Sequence, residues 1–112
     1  GATDRLRCNA RHGATQILKM AHLAELHGTN IELNGTGLLD GLGHAHLGCC
    51  IDNTDFYEFF GGASDSLRKM GEAWGLMNAP LIEDGCLAPP DSPGWGAEWD
   101  EKRVASLLLE EV

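Results

Sequence analysis

The stretch GATQILKMAHLAELHGTNIELNGTG, from Gly13 to Gly37, decides the fold that we expect for this 112-residue chain. Within it, apolar residues from Ile17 to Leu26 recur at the spacing of one helix face. Thr15 is placed to accept a hydrogen bond from an amide group of the first helical turn. Gly28 stands where a helix needs a left-handed residue to end. The stretch therefore predicts one amphipathic helix between Thr15 and Gly28.

Short strands are predicted on both sides of this helix and again later in the chain. Asp4–Ala10 alternates apolar and polar residues, Ile31–Leu33 leads into an Asn34-Gly35 turn, and Asp55–Phe60 is rich in aromatic residues. Leu38–Cys50 is apolar enough for a second helix, although its glycines lower the helix propensity. Strands that alternate with helices predict a parallel α/β sheet. Since helices on one side leave the other face open, we expect this sheet to need the rest of a barrel.

After Gly61-Gly62 the pattern becomes mostly irregular. Ser64–Gly71 is expected to be a short helix or a loop, and Leu81–Leu87 a small hairpin. Prolines then exclude regular structure until Asp100–Val112, which is predicted to close the chain as a helix.

Composition limits the partners and the setting. The formal charge of −9 and the pI of about 4.8 argue against nucleic acid and anionic membranes as partners. No apolar run reaches the roughly 20 residues that a membrane-spanning helix needs. The four cysteines include the adjacent Cys49-Cys50 and have no CxxC spacing, which favours a reducing, cytoplasmic setting. The sequence starts at Gly1, close to a strand-like segment, so we expect a piece of a longer protein.

Three runs of sequence are familiar: GATQILKMAHLAELHGTNIEL, HAHLGCCIDNTDFYEFF and DGCLAPPDSPGWGAEWDEKRV. In this order they resemble the sixth helix and seventh strand, the next helix and eighth strand, and the closing segment of the mandelate racemase/muconate lactonising branch of the enolase superfamily. The resemblance implies an α/β fold that is the C-terminal portion of a (β/α)8 (TIM) barrel, about its last three strands, plus the closing tail. Residues 1–62 would supply strands and helices of the barrel. Residues 63–112 would form a post-barrel tail that packs against a capping domain absent from this chain.

The same resemblance implies a reaction class. In this family a divalent metal, usually magnesium, holds the carboxylate of an acid substrate while a base removes its α-proton. The family's metal ligands and lysine base lie on strands that this chain does not contain, so Mg²⁺ is expected only in the full-length parent. We expect the parent to be an enzyme acting on a small carboxylic acid, with a sugar acid favoured, and this chain alone to be inactive. A homo-oligomer, or dependence on the rest of the barrel, is also expected.

Glu58 matches the eighth-strand acid of the family that hydrogen-bonds the substrate carboxylate. Strand alternation places it on one face with Phe56 and Phe60. An apolar, aromatic surround would favour the neutral carboxyl, which can donate a hydrogen bond. The alternative is a solvent-facing glutamate at a strand end.

Asn34 matches the seventh-strand position where many members carry a histidine base, paired with an aspartate on strand six. Asparagine cannot act as a base, and either Arg7 or Asn9 occupies the place of the aspartate. The missing pair argues against racemisation, which needs a base on each face of the substrate, and favours dehydration by one base. An ordinary Asn-Gly turn is the alternative role for Asn34.

Gly35 and Thr36 could bring backbone amides near a substrate anion. His44-x-His46 with Cys49-Cys50 resembles a soft-metal pattern, but residues two apart on a helix point to different sides, which argues against zinc. The sequence therefore predicts the C-terminal fragment of a metal-dependent dehydratase. A racemase or cycloisomerase of the same superfamily is the first alternative, and a non-catalytic homologue or a small binding or structural domain is the second.

Overall fold

A computed structural model describes residues 2–35 and 37–108 of the chain. Strands and helices alternate along it in the predicted order, and the fold is α/β. The elements are β1 (Arg5–Cys8), a 3-10 turn (Ala10–His12), α1 (Ala14–Leu26), β2 (Asn30–Gly35), α2 (Leu38–Gly48), β3 (Tyr57–Phe59), α3 (Ser64–Trp74) and α4 (Glu101–Leu107). The strands β1 and β3 are shorter than the sequence predicts, while α3 is longer.

The three strands form one parallel sheet in the order β1-β2-β3. Arg7 pairs with Glu32 across the first ladder, and Asn34 pairs with Glu58 across the second. Paired residues of parallel strands project to the same face, and residues two apart along a strand share that face. Arg7, Glu32, Asn34 and Glu58 therefore lie on one face, which we call the polar face.

The helices α1 and α2 pack against the opposite face. The core there combines side chains from the strands and from both helices: Cys8, Ile17, Ala21, Ala24, Ile31, Leu33, Leu47 and Ile51. Fully burying a leucine or isoleucine side chain contributes about 1.5–3 kcal/mol to stability. Apolar packing between the sheet and the two helices therefore holds the strands in place, and the polar face takes no part in this core.

The ends of α1 differ partly from the prediction. The carbonyl of Gly13 accepts the first helical hydrogen bonds, from the amides of Gln16 and Ile17, both at 3.1 Å. The helix therefore starts at Ala14, and the expected cap Thr15 lies inside its first turn. Gly28 has a φ of 64°, so the left-handed residue predicted after the helix is confirmed.

Two glycines inside α2 have a packing role that offsets their low helix propensity. A Cβ at Gly41 would lie 2.7 Å from Cγ of Pro80, and one at Gly43 would lie 3.0 Å from Cζ3 of Trp95. Side chains there would push the last third of the chain away. The helix persists because the glycines allow this close approach.

The segment after β3 folds back on itself around α3. Leu76 and Trp99 form an antiparallel bridge, and the Asp100 side chain caps α4 by accepting the amide hydrogen of Arg103. The predicted hairpin Leu81–Leu87 is reduced to a single bridge between Glu83 and Cys86. None of the helices within residues 2–35 and 37–108 has the length and apolar character needed to cross a membrane.

Candidate functional site

Three residues, one from each strand, lie near the carboxyl ends of the parallel strands. Nη1 of Arg7 lies 3.4 Å from Oε2 of Glu58, and Glu58 is the register partner of Asn34. We call these three residues the polar edge. The Arg7 side chain is 63% exposed and that of Glu58 is 45% exposed, so the ion pair is accessible from solvent in this chain.

Glu58 has a cation beside it in place of the aromatic enclosure that the sequence suggested. Phe56 and Phe60 share its face but are themselves 67% and 54% exposed. The Arg7 guanidinium donates a hydrogen bond to Oε2 of Glu58. The described residues therefore give Glu58 the role of an acceptor, and the apolar surround that would favour the neutral donor is not found among them.

Asn34 is 8% exposed, although no described residue hydrogen-bonds its side chain. The amide offers both donors and an acceptor but no basic group. Of the two candidates for the missing aspartate, Arg7 reaches Glu58, whereas Oδ1 of Asn9 accepts the amide hydrogen of Arg11 and caps the 3-10 turn. Neither residue supplies the carboxylate that a histidine-aspartate pair needs.

Gly35 is explained by packing on the helix side of the sheet. A Cβ at this position would lie 2.8 Å from Cε1 of His44 and 3.1 Å from the hydroxyl oxygen of Tyr57. Its side-chain direction points away from the polar face, and its carbonyl accepts the amide hydrogen of Phe60. The predicted anion contact by Gly35 stays a prediction. Thr36, the other residue expected there, lies outside the described residues.

Glu32 is a buried carboxylate that sequence reasoning missed. It accepts hydrogen bonds from Arg5, from the Thr54 hydroxyl and from the backbone amides of Asp55 and Phe56. Burial works to raise the pKa of the Glu32 carboxyl, but the Phe56, Asp55, Thr54 and Arg5 hydrogen bonds outweigh it and lower the pKa. Glu32 therefore anchors the segment that leads into β3. The sequence signal that could have identified Glu32 is its position between two apolar residues of a predicted strand.

His44 of α2 is buried at 2% exposure and uses both ring nitrogens. Nε2 accepts the backbone N–H of Ala10 at 2.7 Å, and Nδ1 lies 3.1 Å from the hydroxyl oxygen of Tyr57. Burial lowers the pKa of His44, against an opposing effect of Asp40, so the ring is neutral. Burial also raises the pKa of Tyr57 to about 12, so its hydroxyl stays protonated at neutral pH.

The described residues do not fit a magnesium site. Within residues 2–35 and 37–108, no group of three or more His, Cys, Asp or Glu side chains converges where a metal could bind. A cavity of about 320 Å³ does occur, lined by Leu33, His44, Cys49, Tyr57 and Cys86 among others, and no residue of the polar edge borders it. Within the polar edge, the Arg7–Glu58 pair is exposed while Asn34 is buried.

Comparison with known proteins agrees with the α/β fold. The family model described as enolase C-terminal domain-like matches residues 5–103. A crystal structure of the "putative L-alanine-DL-glutamate epimerase" of Burkholderia xenovorans strain LB400, bound to magnesium and fumarate, is similar with a TM-score of 0.73 and 25% sequence identity. The match covers 94% of this chain and 25% of that chain, so this chain spans a quarter of that protein. The chain belongs to the enolase C-terminal domain-like family.

Proposed function

We propose that this chain is the C-terminal part of the barrel of an enolase-superfamily enzyme that removes the α-proton of a carboxylic acid. The observation that carries the proposal is the polar edge, because the Arg7–Glu58 ion pair and Asn34, the register partner of Glu58, lie at the carboxyl ends of parallel strands. That end is the catalytic face of (β/α)8 barrels. Residues 1–62 would then complete the barrel, and residues 63–112 would pack against a capping domain.

The Arg7–Glu58 pair suits a hydroxylated acid as the substrate. A carboxylate at Glu58 accepts hydrogen bonds from hydroxyl groups and repels a substrate carboxylate. The planar guanidinium of Arg7, 3.4 Å away, donates to carboxylates in a matching geometry. We therefore assign the substrate hydroxyls to Glu58 and an anionic group of the substrate to Arg7, which is a pattern that fits a sugar acid.

The residues of the polar edge favour chemistry with one base. The Asn34 amide has no basic group, and the guanidinium of Arg7 offers only hydrogen-bond donors. Racemisation needs a base on each face of the α-carbon, whereas elimination of water needs one. In dehydration, the α-proton goes to a base outside this chain, and the β-hydroxyl takes a proton from an acid outside this chain and leaves as water. The resulting enol gives up its hydroxyl proton and gains a proton at the β-carbon, which yields a 2-keto-3-deoxy acid.

Epimerisation is the second candidate, and the name of the similar crystal structure supports it. This reaction inverts the α-carbon and leaves the composition of the acid unchanged. It requires a second base from outside the polar edge. Magnesium, which that structure contains, would be held in the parent protein by residues other than those described.

Product analysis of the full-length protein separates these reactions. The protein is incubated with Mg²⁺ and a panel of sugar acids, with L-alanine-DL-glutamate as the comparison substrate. Dehydration gives a product lighter by one water that reacts as a ketone with semicarbazide, whereas epimerisation gives a product of equal mass and inverted configuration. We expect the ketone. Absence of both products across the panel would contradict the proposal.

A further inference from the structure

One imidazole lies on the helix side of the sheet beside the ends of β2 and β3 and beside the 3-10 turn that follows β1. His44 accepts the backbone N–H of Ala10 just beyond β1 and lies beside the Tyr57 hydroxyl of β3. Its ring also fills the space that a side chain at Gly35, the last residue of β2, would need. The same three strands carry Arg7, Asn34 and Glu58 on the opposite face.

The hydrogen bond from Ala10 fixes the protonation of the ring. A backbone amide can only donate, so Nε2 of His44 is an acceptor and carries no proton. A neutral imidazole then holds its proton on Nδ1, which donates to the hydroxyl oxygen of Tyr57. Only in this tautomer does the ring hydrogen-bond both Tyr57 of β3 and Ala10 of the turn after β1.

We propose that His44 is a positioning residue, which holds the ends of β1, β2 and β3 so that Arg7 and Glu58 meet. Tyr57 directly precedes Glu58, and Ala10 lies three positions beyond Arg7, so a shift at either contact moves a residue of the polar edge. The rings of His44 and Tyr57 also pack together, with centroids 5.2 Å apart. The positioning of Arg7 and Glu58 by His44 is argued from the structure alone, and only its expected effect on catalysis rests on the proposed function.

The first test is independent of activity. In the ¹⁵N-labelled full-length protein near neutral pH, we expect His44 to show a protonated Nδ1 and an unprotonated Nε2. Tyr57→Phe should leave Nε2 unprotonated, because Ala10 still donates to it. A protonated Nε2 in the wild-type protein would overturn the proposal.

The second test uses variants that keep the size of the side chain. His44→Phe keeps an aromatic ring and removes both hydrogen bonds, while His44→Gln can still accept from Ala10 and donate to Tyr57. Gly48→Ala on the same helix is the matched control, because a Cβ there meets nothing within 4 Å. We expect the ¹³Cδ signal of Glu58 to move in His44→Phe in the direction that Arg7→Gln moves it. It should move less in His44→Gln and stay in place in Gly48→Ala.

The same variants carry the kinetic readout. With a positioning role, kcat falls about tenfold or more in His44→Phe, KM changes little, and His44→Gln recovers part of the loss. An unmoved Glu58 signal in a folded His44→Phe protein would contradict the positioning role. Should the wild-type protein turn over none of the acids, the proposed function fails while the tautomer and the Glu58 signal still decide the role of His44.

Discussion

Glu58 of β3 is the register partner of Asn34 on β2, and the side chain of Arg7 on β1 reaches across β2 to pair with Glu58 at 3.4 Å. This relationship places one residue from each strand at the same end of the sheet. The apolar core lies on the opposite face, so the polar edge can be altered without opening that core. The predictions below use this separation.

Replacing Glu58 by glutamine should reduce activity far more than stability. The amide keeps the shape of the side chain but loses the charge that pairs with Arg7 and accepts from substrate hydroxyls. We expect kcat/KM of the full-length enzyme to fall about 10²-fold or more, with a change in unfolding free energy of at most about 1 kcal/mol, since the pair is exposed. Glu25→Gln, on the exposed side of α1, is the matched control. Equal kcat/KM in Glu58→Gln and Glu25→Gln would remove Glu58 from the site.

Introducing the family's histidine at position 34 should not create a racemase. A histidine base needs a partner carboxylate to orient it, and β1 offers Arg7 and Asn9 instead, while the Glu58 carboxylate on β3 is already paired with Arg7. We expect Asn34→His to lower the rate of ketone formation and to produce no inverted substrate. Chiral chromatography of the recovered acid is the measurement. An inverted isomer made by this variant alone would show that a second base already lies within reach.

Glu32→Gln should destabilise the fold. The buried carboxylate is shared by two backbone amides, a hydroxyl and a guanidinium, and hydrogen bonds to a charged group contribute about 1.5–3 kcal/mol each. We expect a loss of about 2–3 kcal/mol in urea unfolding at pH 7. The Asp55→Asn variant, which alters an exposed carboxylate, should lose less unfolding free energy.

The pH dependence of that difference follows from the lowered pKa of Glu32. A carboxyl with a lower pKa in the folded state contributes stability above its unfolded pKa of about 4.3, and loses it as the pH falls through the folded value. The gap between wild type and Glu32→Gln should therefore narrow below about pH 4. A gap that widens in acid would contradict the sign of the shift.

The lowered pKa of His44 leads us to expect a second pH dependence of stability, in a different pH range. Its folded pKa is lowered by burial, so the unfolded chain binds a proton more readily below about pH 6.5. Stability is complete above that pH and is lost as the pH falls towards the folded pKa, with a slope of up to about 1.4 kcal/mol per pH unit. We expect His44→Phe to remove this slope in urea unfolding between pH 5 and 6.5. An unchanged slope would assign it to other groups.

The order of the strands and helices follows from local patterns in the sequence. Helical spacing in α1, the glycine after it and the alternation in β1 are each decided within a few residues. The extent of α2 is not decided locally. Gly41 and Gly43 are tolerated in the helix because they pack closely against Pro80 and Trp95, which lie far along the chain. The strand β3 is shorter than its aromatic run because its first residues are held by Glu32.

In the polar edge, too, some features can be predicted from the local sequence while others depend on residues far along the chain. Glu58 and Asn34 are visible in the sequence by resemblance to a family, and their register partnership then follows from parallel pairing. The partner of Glu58 is not visible, since Arg7 lies 51 positions away. The role of His44 is not visible in the sequence either, because its contacts join β2, β3 and the turn after β1 across the fold.

The most direct test of the central claim is exchange of the substrate α-proton in heavy water. The full-length protein, with Mg²⁺, is incubated with each acid of the panel, and proton NMR follows the α-proton signal and the products. The account predicts loss of that signal for at least one hydroxylated acid, with a 2-keto-3-deoxy product, and a much slower loss in Glu58→Gln. Retention of the α-proton in every acid would contradict it.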